Sequence, residues 1–270
     1  MFEPRLALAS LSGESDAAWA LAGADHAGAA LLGGIALDEP SREAARALVA
    51  RDRREFLPTD PLAFLDRQLS RVAAAGDATN MDDAADSVGH DGTASPSIRP
   101  GINIRSTTVE PIGAAAAICA DHGAICELNA HCRQPELRAV GCGETLLADP
   151  DRLATFVARA VSEGPDVSVK VRAELPDVDL VAVAETIADA GATAIHIDAM
   201  DSPAVVGRVA AATDLFVIAN NGVRDRASVA QYLDRGADAV SVGRPSREPD
   251  GPVLRRVARA LAARRAEVSP

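Results

Sequence analysis

The stretch Asp189-Ala-Gly-Ala-Thr-Ala-Ile-His-Ile-Asp198 joins the end of one predicted helix to a short predicted strand. A glycine such as Gly191 is typical of the residue that closes a helix, and the isoleucines at alternate positions after it predict a strand with one apolar face. The same order of helix, glycine and strand recurs around Gly23, Gly123 and Gly236. The chain therefore repeats a unit in which a helix leads into a buried strand.

Eight strands are predicted from this repeat and from the apolar stretches between its copies. They are Leu6–Ala9, Ala29–Leu32, Gly101–Arg105, Ile125–Leu128, Val167–Arg172, Ala194–Ile197, Leu215–Ala219 and Ala239–Val242. Eight strands that alternate with helices over 270 residues predict an α/β fold, a (β/α)8 TIM barrel in a single domain over residues 1–270. A doubly wound open sheet is the alternative, but no glycine-rich phosphate loop follows the first strand, where Ala9-Ser-Leu-Ser-Gly13 stands.

Residues 54–98 interrupt the repeat. Residues 54–75 are predicted to form one additional helix. Residues 77–97 are polar, acidic and without hydrophobic periodicity, and we expect a mobile insertion there, either a solvated spacer or a substrate lid.

The charge balance limits the expected partners. Asp and Glu number 39 against 27 Lys and Arg, which gives a net charge of -12, and Lys170 is the only lysine. This composition resembles that of haloarchaeal proteins, and it predicts that the surface repels polyanions at low salt, so DNA is not an expected partner.

The composition also bears on where the protein works. No apolar run reaches the ~18 residues that a membrane span needs. The first residues lack a signal-peptide pattern, and the four cysteines are too few and too local for a secreted disulfide framework. We expect a soluble, cytoplasmic protein that does not bind a membrane.

Four strands carry polar side chains near their C-terminal ends, on the face opposite the aliphatic one. Alternation groups Ser168 with Lys170 and Arg172, His196 with Asp198, Asn103 with Arg105, and Glu127 with Asn129. In a barrel these ends converge at the mouth, where such barrels keep their active sites. Because arginine replaces lysine everywhere else, Lys170 marks a position that needs a compact charge or an ammonium proton. The convergence predicts a functional site rather than isolated ion pairs.

The last two predicted strands end in residues suited to a phosphate group. Gly222 and Gly243 let backbone N–H groups approach a phosphate closely, and Arg244 adds charge-assisted hydrogen bonds. The loops after strands seven and eight are the usual phosphate position of this fold.

Cys132 follows the fourth strand among polar neighbours, where a thiol can act as a nucleophile or as a general acid, depending on its pKa. Cys119 and Cys126 are expected to be buried and apolar in role. A zinc site is the alternative, from His122, Cys126, His131, Cys132 and Cys142. Because no C-x2-C pair is present, we predict that no metal is bound.

Several stretches resemble the tRNA-dihydrouridine synthases. Asn129-Ala-His-Cys132 and then Gly141-Cys-Gly-Glu-Thr-Leu-Leu147 is similar to the family's catalytic loop, Asn-x-Gly-Cys-Pro followed by Gly-x-Gly and a Leu. The other similar stretches are Leu6–Gly13, Val169–Arg172, Ile195-His196, Ala219-Asn220 and Gly236–Arg244. Their order is kept over roughly residues 5–245, and the likeness is nearest to the archaeal synthase-related branch of this FMN-binding family.

The resemblance implies an FMN-dependent oxidoreductase that reduces the 5,6 double bond of uridine in tRNA with NAD(P)H. Cys132 would deliver a proton to C5 while flavin N5 delivers hydride to C6, and Asn129 would orient the base. Lys170 would hold the N1/O2 edge of the flavin, where negative charge gathers on reduction. The implied cofactor-binding residues are Ser10, Asn103, Lys170, His196, Asn220, Gly222, Gly243 and Arg244.

Three features depart from the family pattern. His131 and Arg133 replace the glycine and proline around the cysteine, and Asp198 stands where the family has a cation. The chain also ends about one helix after strand eight, so we expect it to lack the synthases' C-terminal helical domain. Two alternatives therefore stay open: an FMN-dependent enzyme for a free pyrimidine or a dihydroorotate-like molecule, and a non-redox barrel that binds a phosphorylated ligand or RNA.

Overall fold

Eight parallel strands close into one barrel in the computed structural model, which describes residues 1–85, 98–249 and 251–268. The strands are β1 (Leu6–Leu8), β2 (Ala29–Ala36), β3 (Arg99–Arg105), β4 (Ile125–Asn129), β5 (Asp166–Arg172), β6 (Ala194–Asp198), β7 (Phe216–Asn220) and β8 (Ala239–Val242). Each strand pairs with the next along the chain, and β8 returns to β1. The predicted barrel is confirmed, and the open-sheet alternative is wrong.

At least one helix follows every strand and covers the outside of the barrel. The helices are α1 (Ala17–Ala22), α2 (Glu39–Val49), α3 (Pro61–Ala85), α4 (Val109–Asp121), α5 (Pro135–Ala139), α6 (Pro150–Val161), α7 (Leu180–Asp189), α8 (Ala204–Ala212), α9 (Arg226–Leu233) and α10 (Pro252–Val268). Two 3-10 turns, Gly143–Leu146 and Arg244–Arg247, lie at the mouth end, after β4 and β8. None of the helices in the described part of the chain is long and apolar enough to cross a membrane.

The glycines of the repeat close their helices in two ways. Gly123, Gly191 and Gly236 have φ values of 60°, 93° and 95°, the left-handed conformation expected of a closing glycine. Gly23 has φ of -98°, and a Cβ there would lie 2.5 Å from Cδ1 of Leu8. Close packing against β1, rather than backbone conformation, explains the glycine at that position.

The additional helix differs in extent from the prediction. It begins at Pro61 rather than at residue 54, because Asp60 Oδ1 accepts a hydrogen bond from the N–H of Ala63 and so starts the helix there. It continues to Ala85, through the first nine residues of the insertion predicted over 77–97. The rest of that insertion, residues 86–97, lies outside the described residues.

Apolar side chains form two separate layers around and inside the barrel, and a third, small cluster lies between α2 and α5. Outward-facing residues such as Val169 and Ile195 pack between the strands and the helices. A second cluster fills the lower, N-terminal end of the barrel interior, where Phe2, Leu31 and Ile125 are buried. The upper half of the barrel interior is filled by polar side chains instead.

Candidate active site

A layer of polar side chains lies inside the barrel above the apolar cluster. Strand register places Asn103 beside Glu127, Asn129 beside Lys170, and Lys170 beside His196. Each of these side chains is at most 4% exposed. They point inward because they alternate with aliphatic residues that face the helices. The polar faces predicted for separate strands therefore meet in one buried layer.

A chain of hydrogen bonds crosses this layer. Asn129 Nδ2 donates to Asn103 Oδ1 at 2.8 Å, and Asn103 Nδ2 donates to Glu127 Oε1 at 2.7 Å. The other carboxylate oxygen of Glu127, Oε2, lies 2.8 Å from Nδ1 of His196. Glu127 and His196 are both fully buried, so this chain links β3, β4 and β6 without solvent.

The hydrogen-bond chain continues beyond His196 to Ser241 and Asn220, and its partners decide which nitrogen of His196 carries the proton. Asn220 Nδ2 donates to Ser241 Oγ at 2.6 Å, and Ser241 Oγ lies 2.7 Å from His196 Nε2. Because an ionised Glu127 can only accept, Nδ1 of a neutral His196 carries the proton and Nε2 accepts from the Ser241 O–H. His196 Nδ1–H then donates to Glu127. Burial is the main cause of the lowered pKa of His196, with Lys170 adding to it and Glu127 opposing it. Burial alone would raise the pKa of Glu127, but interactions with His196, Lys170 and Asn103 outweigh it and lower that pKa. The pair is an ionised carboxylate beside a neutral imidazole.

Lys170 is a buried cation with one side-chain hydrogen bond among the described residues. Its Nζ donates to Ser10 Oγ at 3.3 Å, and no other hydrogen-bond acceptor contacts it among the described residues. Burial lowers its pKa, and the negative charges of Glu127 and Asp198 oppose that shift. An ammonium group has three donors, so two N–H groups are left for a further acceptor at the mouth.

Hydrogen bonds hold the loop that carries Cys132, at both the N–H and the carbonyl oxygen of that residue. Asn129 Oδ1 accepts from the N–H of Cys132 at 3.1 Å and from that of His131 at 3.3 Å, and the N–H of Glu144 donates to the Cys132 carbonyl oxygen at 2.9 Å. Gly143 has φ of +67°, and a Cβ there would lie 2.1 Å from the same carbonyl oxygen. The glycine lets the two segments approach, and the thiol is positioned by backbone contacts on two sides.

The other cysteines are buried, Cys119 and Cys126 away from the mouth and Cys142 in a small apolar cluster against which Cys132 packs. Cys119 and Cys126 belong to the apolar layer under the helices, as expected. Cys142 is also buried; its Sγ donates to the Ser106 carbonyl oxygen at 3.4 Å, and burial raises its pKa to about 12. Within the described residues, no three His, Cys, Asp or Glu side chains form a group that could hold a metal, so the alternative zinc set does not come together.

The residues that depart from the family pattern lie at the same mouth. Nε2 of His131 is 4.0 Å from Oδ2 of Asp198, and burial together with the charge of Lys170 lowers the pKa of His131 well below its usual range. Arg172 donates to Glu144 Oε2 at 2.7 Å, so its charge is already paired. The sequence analysis grouped Asp198 with His196 among the converging polar side chains and named His131 as a departure and as a member of the alternative zinc set; the structure puts both at the rim of the site.

The ends of β7 and β8 offer unused backbone donors. The N–H groups of Gly222, Gly243 and Arg244 make no hydrogen bond within the described part of the chain. A Cβ at Gly243 would meet nothing within 4 Å, and Gly222 and the Arg244 side chain are exposed. These three residues do not join the buried hydrogen-bond chain, but Asn220 connects it to the end of β7.

A cavity of about 550 Å³ opens at the mouth between Ser10, Cys132 and the segment after α2. That segment is fixed by Glu55, which accepts from Arg105 Nη1 at 2.8 Å in a buried ion pair; Arg105 Nη2 also donates to Ser12 Oγ at 2.5 Å. Sequence reasoning missed Glu55, which it placed in the additional helix. It also gave no role to Ser241, although alternation in β8 turns this residue inward.

Comparison with known proteins gives a family match and one distant relative. The family described as dihydrouridine synthase (Dus) matches residues 101–256, from β3 into α10. An uncharacterized protein of Methanocaldococcus jannaschii, MJ0144, is 23% identical over 252 residues, which cover 90% of this chain and 89% of that protein.

Solved structures share the fold at low sequence identity. DHODH from Eimeria tenella superposes with a TM-score of 0.65 at 16% identity, over 98% of this chain and 82% of that one. A tryptophan synthase alpha-subunit mutant from Pyrococcus furiosus gives a TM-score of 0.57 at 14% identity, over 97% and 100% of the two chains. FabK from Thermotoga maritima gives 0.53 at 14% identity, over 90% and 58%. These likenesses support the barrel and nothing finer.

Proposed function

This chain belongs to the dihydrouridine synthase family, and on that premise we propose that it is an FMN-dependent oxidoreductase that reduces the 5,6 double bond of uridine in tRNA with NAD(P)H. The observation that carries the proposal is the buried Lys170 ammonium. Its one hydrogen-bond partner among the described residues is Ser10 Oγ at 3.3 Å, and it shares the barrel mouth with the partly exposed Cys132.

The residues at the mouth fit FMN in three respects. The ammonium of Lys170 has two free donors for an acceptor that gains negative charge. The N–H groups of Gly222 and Gly243, which make no hydrogen bond within the described residues, suit a phosphate, and Arg244 follows Gly243 directly in sequence. The cavity of about 550 Å³ is of the size usual for small-molecule sites, and it lies beside Ser10 and Cys132; the other implied cofactor residues do not line it.

FMN, once reduced by NAD(P)H, supplies the hydride that C6 of the pyrimidine accepts. Lys170 would hold the cofactor at the edge of the ring system that gains negative charge on reduction, through the ammonium donors that Ser10 does not occupy. The Cys132 thiol donates the proton that C5 takes up, as a general acid at the open side of the mouth.

The remaining expected site residues have a supporting role in this proposal. Both polar atoms of the Asn129 amide are engaged, with Asn103 and with the backbone of the Cys132 loop, so Asn129 positions the thiol rather than orienting the base. Asn103 and His196 are fully buried and bonded through both of their polar side-chain atoms, so they hold the layer beneath the cofactor.

The test is to incubate FMN-loaded protein with NADPH or NADH and unmodified tRNA, and to measure dihydrouridine by mass spectrometry. We expect Cys132→Ala to keep the bound flavin and to lose at least about 100-fold in dihydrouridine formation, the usual contribution of a general acid. Cys119→Ala, which removes a thiol remote from the mouth, is the matched control and should keep wild-type activity.

Three results would change the proposal. Full activity of Cys132→Ala would remove the proton-donor role. A flavin-loaded protein that leaves tRNA unchanged but reduces free uracil, or oxidises dihydroorotate, would support the free-pyrimidine alternative. A protein that takes up no FMN would support a non-redox barrel that binds a phosphorylated ligand or RNA.

A further inference from the structure

Positive charge is concentrated in the last part of this acidic chain. Residues 224–270 contain ten arginines and six acidic residues, a net charge of +4, whereas residues 1–223 contain 17 basic and 33 acidic residues, a net charge of -16. The expectation that the surface repels polyanions was based on the net charge of the whole chain. It does not extend to the surface formed by α9, α10 and the loops before them.

Four arginines of this region form what we call the arginine face: Arg224, Arg255, Arg256 and Arg259. All four are exposed, and none has an acidic ion-pair partner among the described residues. On α10, Arg255, Arg256 and Arg259 lie on one face of the helix, and Leu254 and Val257 on the opposite face are buried.

Other arginines of α9 and α10 are paired. Arg226 lies 2.8 Å from a carboxylate oxygen of Glu267, and Arg264 pairs with Asp234. Within α9 and α10, the described arginines without an ion pair are therefore those of the arginine face.

The arginine face adjoins the mouth of the barrel. Arg224 lies in the loop after β7, and Arg256 Nε donates to the Arg224 carbonyl oxygen at 3.3 Å, which brings the start of α10 against that loop. Asp225 is the neighbouring carboxylate; it caps α9 by accepting from the N–H of Ser228 at 2.9 Å. That hydrogen bond is the main cause of its lowered pKa, with smaller contributions from Arg224 and Arg256.

Unpaired arginines next to one another repel, and a polyanion relieves this repulsion. Guanidinium groups bind phosphate oxygens through two parallel hydrogen bonds, and a nucleic-acid backbone presents phosphates at regular intervals. The face begins beside Gly222, whose carbonyl oxygen accepts from Arg224 Nε at 3.1 Å, at the rim where a target nucleotide would enter. An RNA bound at the mouth would extend onto the arginine face and contact its guanidinium groups. An acidic protein partner has no nucleotide at the mouth that would lead it onto this face.

We propose that the arginine face binds the phosphate backbone of the RNA whose nucleotide enters the barrel mouth. This inference rests on the proposed function and selects tRNA over a free pyrimidine as its substrate. A free pyrimidine has no phosphate backbone and would leave the face unused.

The experiment compares two triple variants that remove the same charge. Arg255→Gln/Arg256→Gln/Arg259→Gln alters the arginine face, and Arg67→Gln/Arg71→Gln/Arg208→Gln alters three exposed arginines on α3 and α8 that also lack ion pairs among the described residues. Unmodified tRNA is titrated by filter binding over a series of salt concentrations, and the visible flavin spectrum of each FMN-loaded protein serves as the check on folding and on the cofactor site.

We expect the arginine-face variant to bind tRNA at least about tenfold more weakly at the lowest salt. Its slope of log affinity against log salt should fall by about 2 to 3, since each lost phosphate contact contributes about 0.7–0.9. The control variant should bind as the wild type does, and both should keep the wild-type flavin spectrum.

Equal affinity and slope in the two variants, or no tRNA binding by the wild type, would overturn the inference and leave the flavin assignment standing. A wild type that binds tRNA through the face but takes up no flavin would uphold the inference and refute the proposed oxidoreductase.

Discussion

The lower and upper halves of the barrel interior are built from the same strands but from opposite kinds of side chain. On β4 the inward positions run from Ile125 at the bottom to Glu127 and then Asn129 at the top, all buried. Ile125 belongs to an apolar cluster, whereas Glu127 and Asn129 belong to the hydrogen-bond chain. A step of two residues along one strand therefore separates the part that stabilises the fold from the part that arranges the mouth.

The two halves respond differently to the loss of a member. The apolar cluster loses burial roughly in proportion to the atoms removed. The polar layer depends on complete pairing, because each buried donor or acceptor that loses its partner keeps its full desolvation penalty. The predictions below use this difference.

The largest effect is expected for Glu127→Ala. It leaves His196 Nδ1 and Asn103 Nδ2 without an acceptor and removes negative charge beside Lys170. We expect the free energy of unfolding to fall by about 4 kcal/mol, the usual loss when one partner of a buried pair is removed. Urea denaturation measures it. Glu127→Gln keeps the side-chain volume and one hydrogen bond, so its free energy of unfolding should fall by less. A fall below about 1 kcal/mol for the alanine variant would contradict the claim that the polar layer depends on complete pairing.

A smaller effect, confined to stability, is expected for Ile125→Ala. The cavity at the lower end should reduce the free energy of unfolding by about 3 kcal/mol. FMN affinity, measured by fluorescence titration, should stay at the wild-type value, because the polar layer is untouched. If FMN affinity fell as steeply as in Glu127→Ala, the division between the two halves would be wrong.

The smallest effect is a pH dependence that belongs to the upper half. Both His131 and His196 have lowered pKa values in the folded protein. Below the usual pKa of about 6.5 the unfolded chain therefore binds more protons than the folded one. Stability from these residues is complete above about pH 6.5 and falls as the pH drops below it, by up to about 1.4 kcal/mol per pH unit for each histidine.

Denaturation at several pH values checks this dependence. His131→Asn and His196→Asn should each flatten the profile between about pH 6.5 and 5. Ile125→Ala should shift the whole profile without altering its shape. A wild-type profile that is flat over this interval would contradict the neutral state of both histidines.

The eight strands could be predicted because alternation and glycine-closed helices are local features of the chain. Strand alternation also predicts that Glu127 and Ser241 point inward, but it does not predict their hydrogen-bond partners. Glu127 meets His196 across 69 positions of sequence, and His196 meets Ser241 across 45, so the contacts depend on the register of the closed barrel. Glu55 was placed in the wrong element, since its ion pair with Arg105 is a tertiary contact.

The role of Asn129 shows what a motif leaves open. The motif predicts a catalytic loop, which stays a prediction, and both polar atoms of the Asn129 amide are used inside the protein. The net charge of the whole chain, -12, likewise does not reveal that Arg255, Arg256 and Arg259 lie together on α10 without ion-pair partners among the described residues. The haloarchaeal type of the composition and the location in the cell stay predictions.

The most direct test of the central claim, that the mouth above Lys170 binds FMN, is the visible absorption spectrum of the protein purified in high salt. We expect an oxidised-flavin spectrum, release of FMN on denaturation, and a much weaker uptake of added FMN by Lys170→Met. A colourless wild-type protein that takes up no added FMN would contradict the claim, and the oxidoreductase proposal would fall with it.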